Sequence, residues 1–274
     1  MGDRAQSSLA GKRIVVTRPQ AQCAALCDAL LAHGAEPLAL PLIKIVAAED
    51  FTELDAGLKK LRAGDWIILT SQNAVDPVAL RLRFLRAAEP NTARDVRVAA
   101  VGPATQQAAN NAALVVQYVA KVHDGVSLAQ ELGERLRGRH VLLPRSDLAN
   151  TEMPAALRQF GAEVMDVIAY RTEYLRESEA ELQTRIAARR VDAVVCFSPS
   201  AVHSLVNILG ARIAELHDHV VFAAIGEPTA RAFREAGVRQ PLVAGEATPE
   251  AAVSVLRDRF AKQASRAFAG AKKS

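Results

Sequence analysis

Lys12-Arg-Ile-Val-Val-Thr-Arg18 recurs 127 positions later as Arg139-His-Val-Leu-Leu-Pro-Arg145. At the same spacing Gly34-Ala35-Glu36 returns as Gly161-Ala162-Glu163, and Trp66-Ile-Ile-Leu-Thr-Ser71-Gln-Asn73-Ala-Val75 as Ala193-Val-Val-Cys-Phe-Ser198-Pro-Ser200-Ala-Val202. A fourth pair, Val98-Ala-Ala-Val-Gly102-Pro-Ala-Thr105 and Phe222-Ala-Ala-Ile-Gly226-Glu-Pro-Thr229, is offset by 124, so one loop is three residues shorter. Solenoid units recur every ~20–50 residues; this spacing is that of a duplicated domain. Two similar lobes with a cleft between them are therefore expected. The length of 274 residues agrees, since domains run to about 100–200 residues each.

Within each copy, short β-branched runs alternate with helical periodicity. Ile14–Thr17, Trp66–Leu69, Val96–Val101 and Leu114–Val116 read as strands in the first copy. Val141–Pro144, Ala193–Phe197, Val220–Ile225 and Pro241–Val243 match them in the second. Helices are expected at about 20–33, 73–87, 103–111, 126–136, 151–160, 200–209, 227–236 and 249–260. Asp124 and Thr248 are positioned to cap the last helix of each copy. Such alternation predicts parallel sheets covered on both faces. Leu38-Ala-Leu-Pro41-Leu-Ile-Lys-Ile45 and Met165-Asp-Val-Ile-Ala-Tyr170-Arg-Thr172 are repeat-equivalent and extended, and Pro37 and Pro41 bar the first from a sheet interior. The two could pair antiparallel as a bridge, each copy donating its first βα unit across it.

Composition excludes several functions. The longest apolar runs fall short of the ~18 residues of a membrane span. Met1 to Ala10 is polar and lacks the apolar core of a signal peptide, so a cytoplasmic protein is expected. The net charge of +4 comes from Lys262, Arg266, Lys272 and Lys273, and residues 1–260 balance to zero, so no nucleic-acid partner is expected. That basic tail reads as disordered. Cys23 and Cys27 share a helical face with Leu26 and Leu30, and Cys196 ends an apolar strand; all three read as small core hydrophobes. His217-Asp218-His219 offers too few ligands for a metal.

In open parallel sheets, ligands bind beyond the carboxyl ends of the strands, where helix N-termini present free N–H groups. Those loops carry Thr17-Arg18-Pro19, Thr70-Ser71-Gln72-Asn73, Gly102-Pro103-Ala104-Thr105, Pro144-Arg145-Ser146, Ser198-Pro199-Ser200 and Gly226-Glu227-Pro228-Thr229. Their hydroxyls are also ordinary helix caps, their glycines serve tight turns, and Arg18 and Arg145 could be solvated. Recurrence at successive strand ends favours a polyanion site. Neither G-x-G-x-x-G nor a Walker loop is present.

Thr17-Arg18-Pro19, Thr70-Ser71-x-Asn73-Ala-Val, Val101-Gly102-Pro103-x-Thr105, Tyr170-Arg-Thr172, Phe197-Ser198-Pro199-Ser200-Ala-Val and Ile225-Gly226-x-x-Thr229-Ala, in that order, resemble the uroporphyrinogen-III synthase family from about Gly11 to Phe260. The resemblance implies an α/β fold of two flavodoxin-like lobes with parallel sheets, joined by a two-stranded antiparallel ladder. One lobe would combine 12–37 with 173–262 and the other span 47–162; 38–46 and 163–172 would form the ladder, and 1–11 and 263–274 disordered tails. It implies a hydro-lyase without cofactor or metal that closes hydroxymethylbilane, a linear tetrapyrrole with eight carboxylates. The last ring is inverted through a spiro-pyrrolenine and water is lost. Arg18, Thr70, Ser71, Asn73, Gly102, Thr105, Arg145, Ser198, Ser200, Gly226 and Thr229 would bind substrate, and Tyr170 would be the catalytic acid or else a packing residue. Glu227 departs from the pattern, placing an anion beside an anion site, and is expected to point away or to cap the helix. A monomer is expected. The rival class is a non-catalytic two-lobed small-molecule binder; the absent signal peptide and absent helix-turn-helix argue against it.

Overall fold

The computed structural model describes residues 9–18, 22–122, 124–216, 219–246 and 248–271. The chain divides into two compact units, one of Met1–Lys44 with Tyr174–Ser274 and one of Ile45–Glu173.

The first unit contains β1 (Arg13–Val16), β2 (Glu36–Ala39), β9 (Ala193–Cys196), β10 (Val221–Ile225) and β11 (Leu242–Ala244), in the order β11-β10-β9-β1-β2. All neighbours are parallel. The second contains β3 (Ile43–Ala47), β4 (Trp66–Leu69), β5 (Arg97–Ala100), β6 (Tyr118–Val119), β7 (His140–Ser146) and β8 (Glu163–Tyr174), in the order β3-β8-β7-β4-β5-β6. Its one antiparallel pair is β3 with β8. Under the repeat, β8-β7-β4-β5-β6 is the same order as β2-β1-β9-β10-β11, the flavodoxin arrangement. Each five-strand set therefore takes its first two strands from one copy and the remaining three from the other, and β3, also of the first copy, is added at the edge of the second sheet.

Alternation along each strand explains why both faces are covered. In the first unit Val15, Val194, Cys196, Phe222 and Ala224 join a core with α7 (Glu177–Ala187), α8 (Pro199–Leu209) and α10 (Glu227–Glu235). The intervening Ile14, Val16, Ala193, Val195, Ala223 and Ile225 join the opposite core with α1 (Ala24–Ala32) and α11 (Pro249–Ala271). In the second unit Ile67, Leu69, Val98 and Leu142 face α2 (Thr52–Lys60), α3 (Val75–Ala88) and α4 (Pro103–Asn111). Trp66, Ile68, Ala99, Val141 and Leu143 face α5 (Gly125–Leu132) and α6 (Glu152–Gln159). Period two with both faces apolar is what a doubly covered sheet requires.

Several expectations are corrected. Residues 38–46 are not one ladder segment: β2 completes the first sheet, with Pro37 on its edge strand, and β3 belongs to the second. Strand pairing expected at Leu114–Val116 begins instead at Gln117, whose N–H donates to the Val98 carbonyl at 2.9 Å. Helix α11 runs to Ala271 through residues assigned to a disordered tail, because an alanine-rich, proline-free stretch propagates cheaply from a formed helix. Leu9 is likewise no tail residue; it is fully buried against Val16 and Leu26. Helices α2 and α7 escape pattern reading. In α2 the break is Gly57, where an added Cβ would stand 2.6 Å from Leu142 Cδ1, so glycine permits the helix to lie close on β7.

Both caps form: Asp124 accepts from Ser127 N at 2.8 Å and Thr248 from Ala251 N at 3.2 Å. A second repeat-equivalent device ties the sheet starts. Asp192 Oδ2 accepts from Arg13 N and Nε, both at 2.9 Å, and Asp65 Oδ1 from His140 N at 3.0 Å. Burial alone would raise the Asp192 pKa, but the bonds from Arg13 and the charges of Arg13 and Lys12 outweigh it and hold the carboxyl below its ordinary value. A folded-state pKa depressed in this way gives stability that is present above about pH 4 and lost as pH falls through the folded value. Replacing Asp192 by Asn should flatten the acid limb of a melting-temperature profile. A profile identical to the parent's below pH 4 would remove Asp192 from that role.

Candidate functional site

On the first unit the carboxyl ends of the adjacent strands β1, β9 and β10 lead into Thr17-Arg18, Ser198-Pro199-Ser200 and Gly226-Glu227-Pro228-Thr229. Pro19 lies outside the described residues. Thr17 is fully buried, its Oγ1 donating to the Val195 carbonyl at 2.8 Å, which ties the end of β1 to β9. Ser198 caps α8, accepting from Ala201 N at 3.3 Å, and its hydroxyl lies 2.9 Å from that of Ser200. Gly226 has φ +79°, a conformation that an L side chain would strain, whereas its counterpart Gly102 has φ −159°, open to any residue. The backbone thus requires a glycine at one of the two equivalent positions and not at the other. Thr229, in the first turn of α10, is buried. Glu227 turns away along its own helix to pair with Arg234 at 2.5 Å, leaving the N-terminus of α10 free of its charge.

The Arg18 guanidinium lies over the Phe197 ring, 4.2 Å from its centroid, and its Nε is buried without a hydrogen-bond partner. Burial pushes its pKa below the ordinary arginine value, with nearby Cys23 pulling weakly the other way. Cys23 itself, held by burial at about 11, remains a thiol and donates to the Arg18 carbonyl at 3.0 Å.

On the second unit, β8, β7, β4 and β5 place Tyr170, Arg145, Thr70-Ser71 and Gly102 along one edge. Ser71 begins the short 3-10 turn Gln72–Ala74 and accepts from Asn73 N at 3.2 Å. Thr105 is buried in the first turn of α4. Tyr170 is buried at 8% exposure, in the core that includes Val75 and Ala169, and its phenol bonds to the Ser71 and Asn73 side chains. Burial is the largest influence and raises its pKa; Ser71, Asn73 and the Arg145 charge oppose it, and the Asp147 charge adds to it. Arg171, on the other face of β8, pairs with Glu49 and lies 3.6 Å from Asp147.

Arg145 is neither solvated nor open. Its Nε and Nη2 bond both Asp166 oxygens at 2.8 and 2.5 Å, and Nη1 donates to the Asn150 carbonyl at 2.5 Å. Sequence reasoning missed Asp166, although a lone carboxylate in an apolar strand was the available signal. It also missed Asp147, which accepts from Thr172 N at 3.0 Å and from Ser146 Oγ at 3.0 Å, closing the loop after β7.

Among the described residues, no group of three or more His, Cys, Asp or Glu side chains is placed to hold a metal ion, and no helix is long and apolar enough to cross a membrane. His217 and Asp218 lie outside the described residues.

A duplicated, flavodoxin-like α/β protein with hydroxyls and helix N-termini ranged along the carboxyl edge of each sheet is a member of the strand-edge small-molecule class. The family profile of uroporphyrinogen-III synthase HemD matches residues 24–254. A chloroplastic uroporphyrinogen-III synthase from Oryza sativa is 32% identical over 234 residues, covering 82% of this chain and 73% of the relative. The Chlorobaculum parvum uroporphyrinogen-III synthase is 26% identical over 234 residues, covering 85% and 92%. In fold, the chain resembles a crystal structure of the Thermus thermophilus synthase at TM-score 0.69, covering 92% of this chain and all of that one at 20% identity. The chain belongs to the uroporphyrinogen-III synthase family, which acts in tetrapyrrole biosynthesis by a cyclising lyase reaction.

Proposed function

We propose that this chain closes hydroxymethylbilane to uroporphyrinogen III, inverting the last pyrrole ring and losing water through a spiro-pyrrolenine, as a cytoplasmic, monomeric, cofactor-independent hydro-lyase. The observation that carries the reading is the repeated set of donors at the strand ends of both units. The Gly102 N–H, the free N–H groups at the start of α10 just after Gly226 (whose own N–H is spent on the Ala244 carbonyl at 2.9 Å), and the side chains of Thr70, Ser71, Asn73, Thr105, Ser198, Ser200, Thr229 and Arg18 receive the substrate carboxylates. Arg145 supports the edge from within its pair with Asp166. The two lobes of this enzyme are the two compact units, residues 1–44 with 174–274 and residues 45–173.

The chemistry asks for conformational selection more than for a strong catalyst. The bilane closes unaided to the uninverted isomer, so the protein has to hold the last ring with its substituted carbon against the departing hydroxymethyl group, an improbable conformer made a near-attack one. A weak acid assists departure of the hydroxyl; Tyr170, which like any tyrosine with a pKa of about 10 keeps its proton at neutral pH and whose pKa burial raises further, supplies it.

Incubation with hydroxymethylbilane followed by isomer separation tests this. Type III product is expected, and exclusive formation of the uninverted isomer would sink the reading. With the load spread over many donors, Thr105→Ala or Ser198→Ala alone should lower turnover by no more than about tenfold to a hundredfold, the worth of one bond to a charged group at ~1.5–3 kcal/mol. Complete loss in a folded variant would point to a single catalytic centre instead.

A further inference from the structure

Arg18 and Arg145 occupy equivalent positions of the repeat, yet the structure treats their charges differently. Arg145 spends its donors inside the protein, on both oxygens of Asp166 and on the Asn150 carbonyl. The position equivalent to Asp166 is Ala39, and the position equivalent to Asn150 is Cys23, whose thiol is turned to the Arg18 carbonyl. No carboxylate among the described residues has taken the lost partner's place: Glu227, the acidic residue in the neighbouring loop, is held by Arg234. Phe197, which replaces the equivalent Thr70, instead provides an aromatic face 4.2 Å beneath the guanidinium.

A guanidinium held over an aromatic ring gains from the ring's negative face, but that contact satisfies none of its N–H donors. The buried Nε of Arg18 is one such donor without a partner. Native interiors leave such groups unpaired rarely, because desolvating a donor without a bond is costly. With Nε buried, the outer Nη donors of this planar, always-charged fork remain for a ligand, and they match one chemistry best, a planar carboxylate gripped by two parallel bonds. The α8 and α10 N-termini begin at the neighbouring strand ends and add positive potential of the same sign.

We propose that the duplication has divided the work of its two arginines: Arg18 is the carboxylate receptor of the first unit, and Arg145 is a structural tie between β7 and β8 that meets no ligand. The proposal rests on the reading that the strand edges bind a polycarboxylate, and the two can fail separately. Arg18→Gln should raise the KM for hydroxymethylbilane about tenfold with a smaller change in kcat, and Arg18→Lys should recover part of that loss. The melting temperature of Arg18→Gln should match or exceed the parent's, since the donor removed had no protein partner, whereas Arg145→Gln should melt several degrees lower with Asp166 left unpaired. Benzenehexacarboxylate, followed by titration calorimetry, supplies an arm independent of turnover, with affinity expected to fall at least tenfold in Arg18→Gln. Equal affinity in parent and variant, no binding to either, or an unchanged KM overturns the proposal. A lower melting temperature for Arg18→Gln also overturns it, by making Arg18 a structural tie as well. If the parent forms no type III isomer, the functional reading fails, while the calorimetric and melting comparisons still decide the role of Arg18.

Discussion

Tyr170→Phe is expected to lower turnover about 10²-fold, within the usual range for loss of acid–base assistance, while the protein stays folded. The substitution keeps the ring that packs in the core beside Val75 and Ala169 and removes only the hydroxyl. That hydroxyl bonds to Ser71 and Asn73, both at the end of β4 where substrate is proposed to bind. Losing it removes neutral hydrogen bonds worth about 1 kcal/mol net in stability, so a small fall in melting temperature accompanies the large fall in rate. Tyr170→Ala adds the loss of the buried ring, which makes the pair of variants diagnostic. Steady-state turnover on hydroxymethylbilane, with thermal melts alongside, separates the outcomes. Should Tyr170→Phe retain parental turnover while Tyr170→Ala loses it, the residue is a packing element. The proton then comes from bound water or a substrate carboxyl.

The largest effect on stability is expected at Phe233. It is fully buried on α10, among Phe222, Ala224 and Leu205, with its ring 5.4 Å from that of Phe222 at an interplanar angle of 47°. Truncation to alanine removes the apolar surface and leaves a cavity, together about 3–5 kcal/mol, and a tilted aromatic pair contributes ~0.5–1.5 kcal/mol of its own. For a unit of this size that corresponds to a fall in melting temperature on the order of 10 °C. The consequence reaches the site, because α10 carries Gly226 and Thr229 at its start. Differential scanning calorimetry should show the loss, and a decrease smaller than about 2 °C would mean that the ring does not anchor α10.

The corrections share a physical cause. Helix α2 is invisible to pattern reading because Gly57 looks like a helix breaker until Leu142 of β7 is seen pressed against it. The α7 sequence is mostly polar, and its buried stripe of Ser178, Leu182 and Ile186, spaced by four, carries just two apolar residues to mark it. The basic end of α11 was assigned to a tail because charge without acidic balance resembles a solvated segment, whereas an existing helix extends at little cost.

Duplication, alternation and the loop residues belong to the sequence alone. Each is local or strictly periodic: the 127-residue offset, apolar runs of period two, small hydroxyl residues after each run, and caps such as Asp124. These sufficed for the fold class, and they are the basis for proposing the strand ends as the place of binding. The fates of the two arginines, the two glycines and Tyr170 were decided by tertiary structure. Arg145 meets Asp166, 21 positions away, only because β7 and β8 run parallel in a register that pairs Leu143 with Asp166. Gly226 needs a positive φ and Gly102 does not, a difference that identical letters hide. Tyr170 joins the same core as its neighbour Ala169 because the β7–β8 register jumps from Ile168 to Tyr170, a bulge that interrupts alternation and leaves Arg171 facing outward.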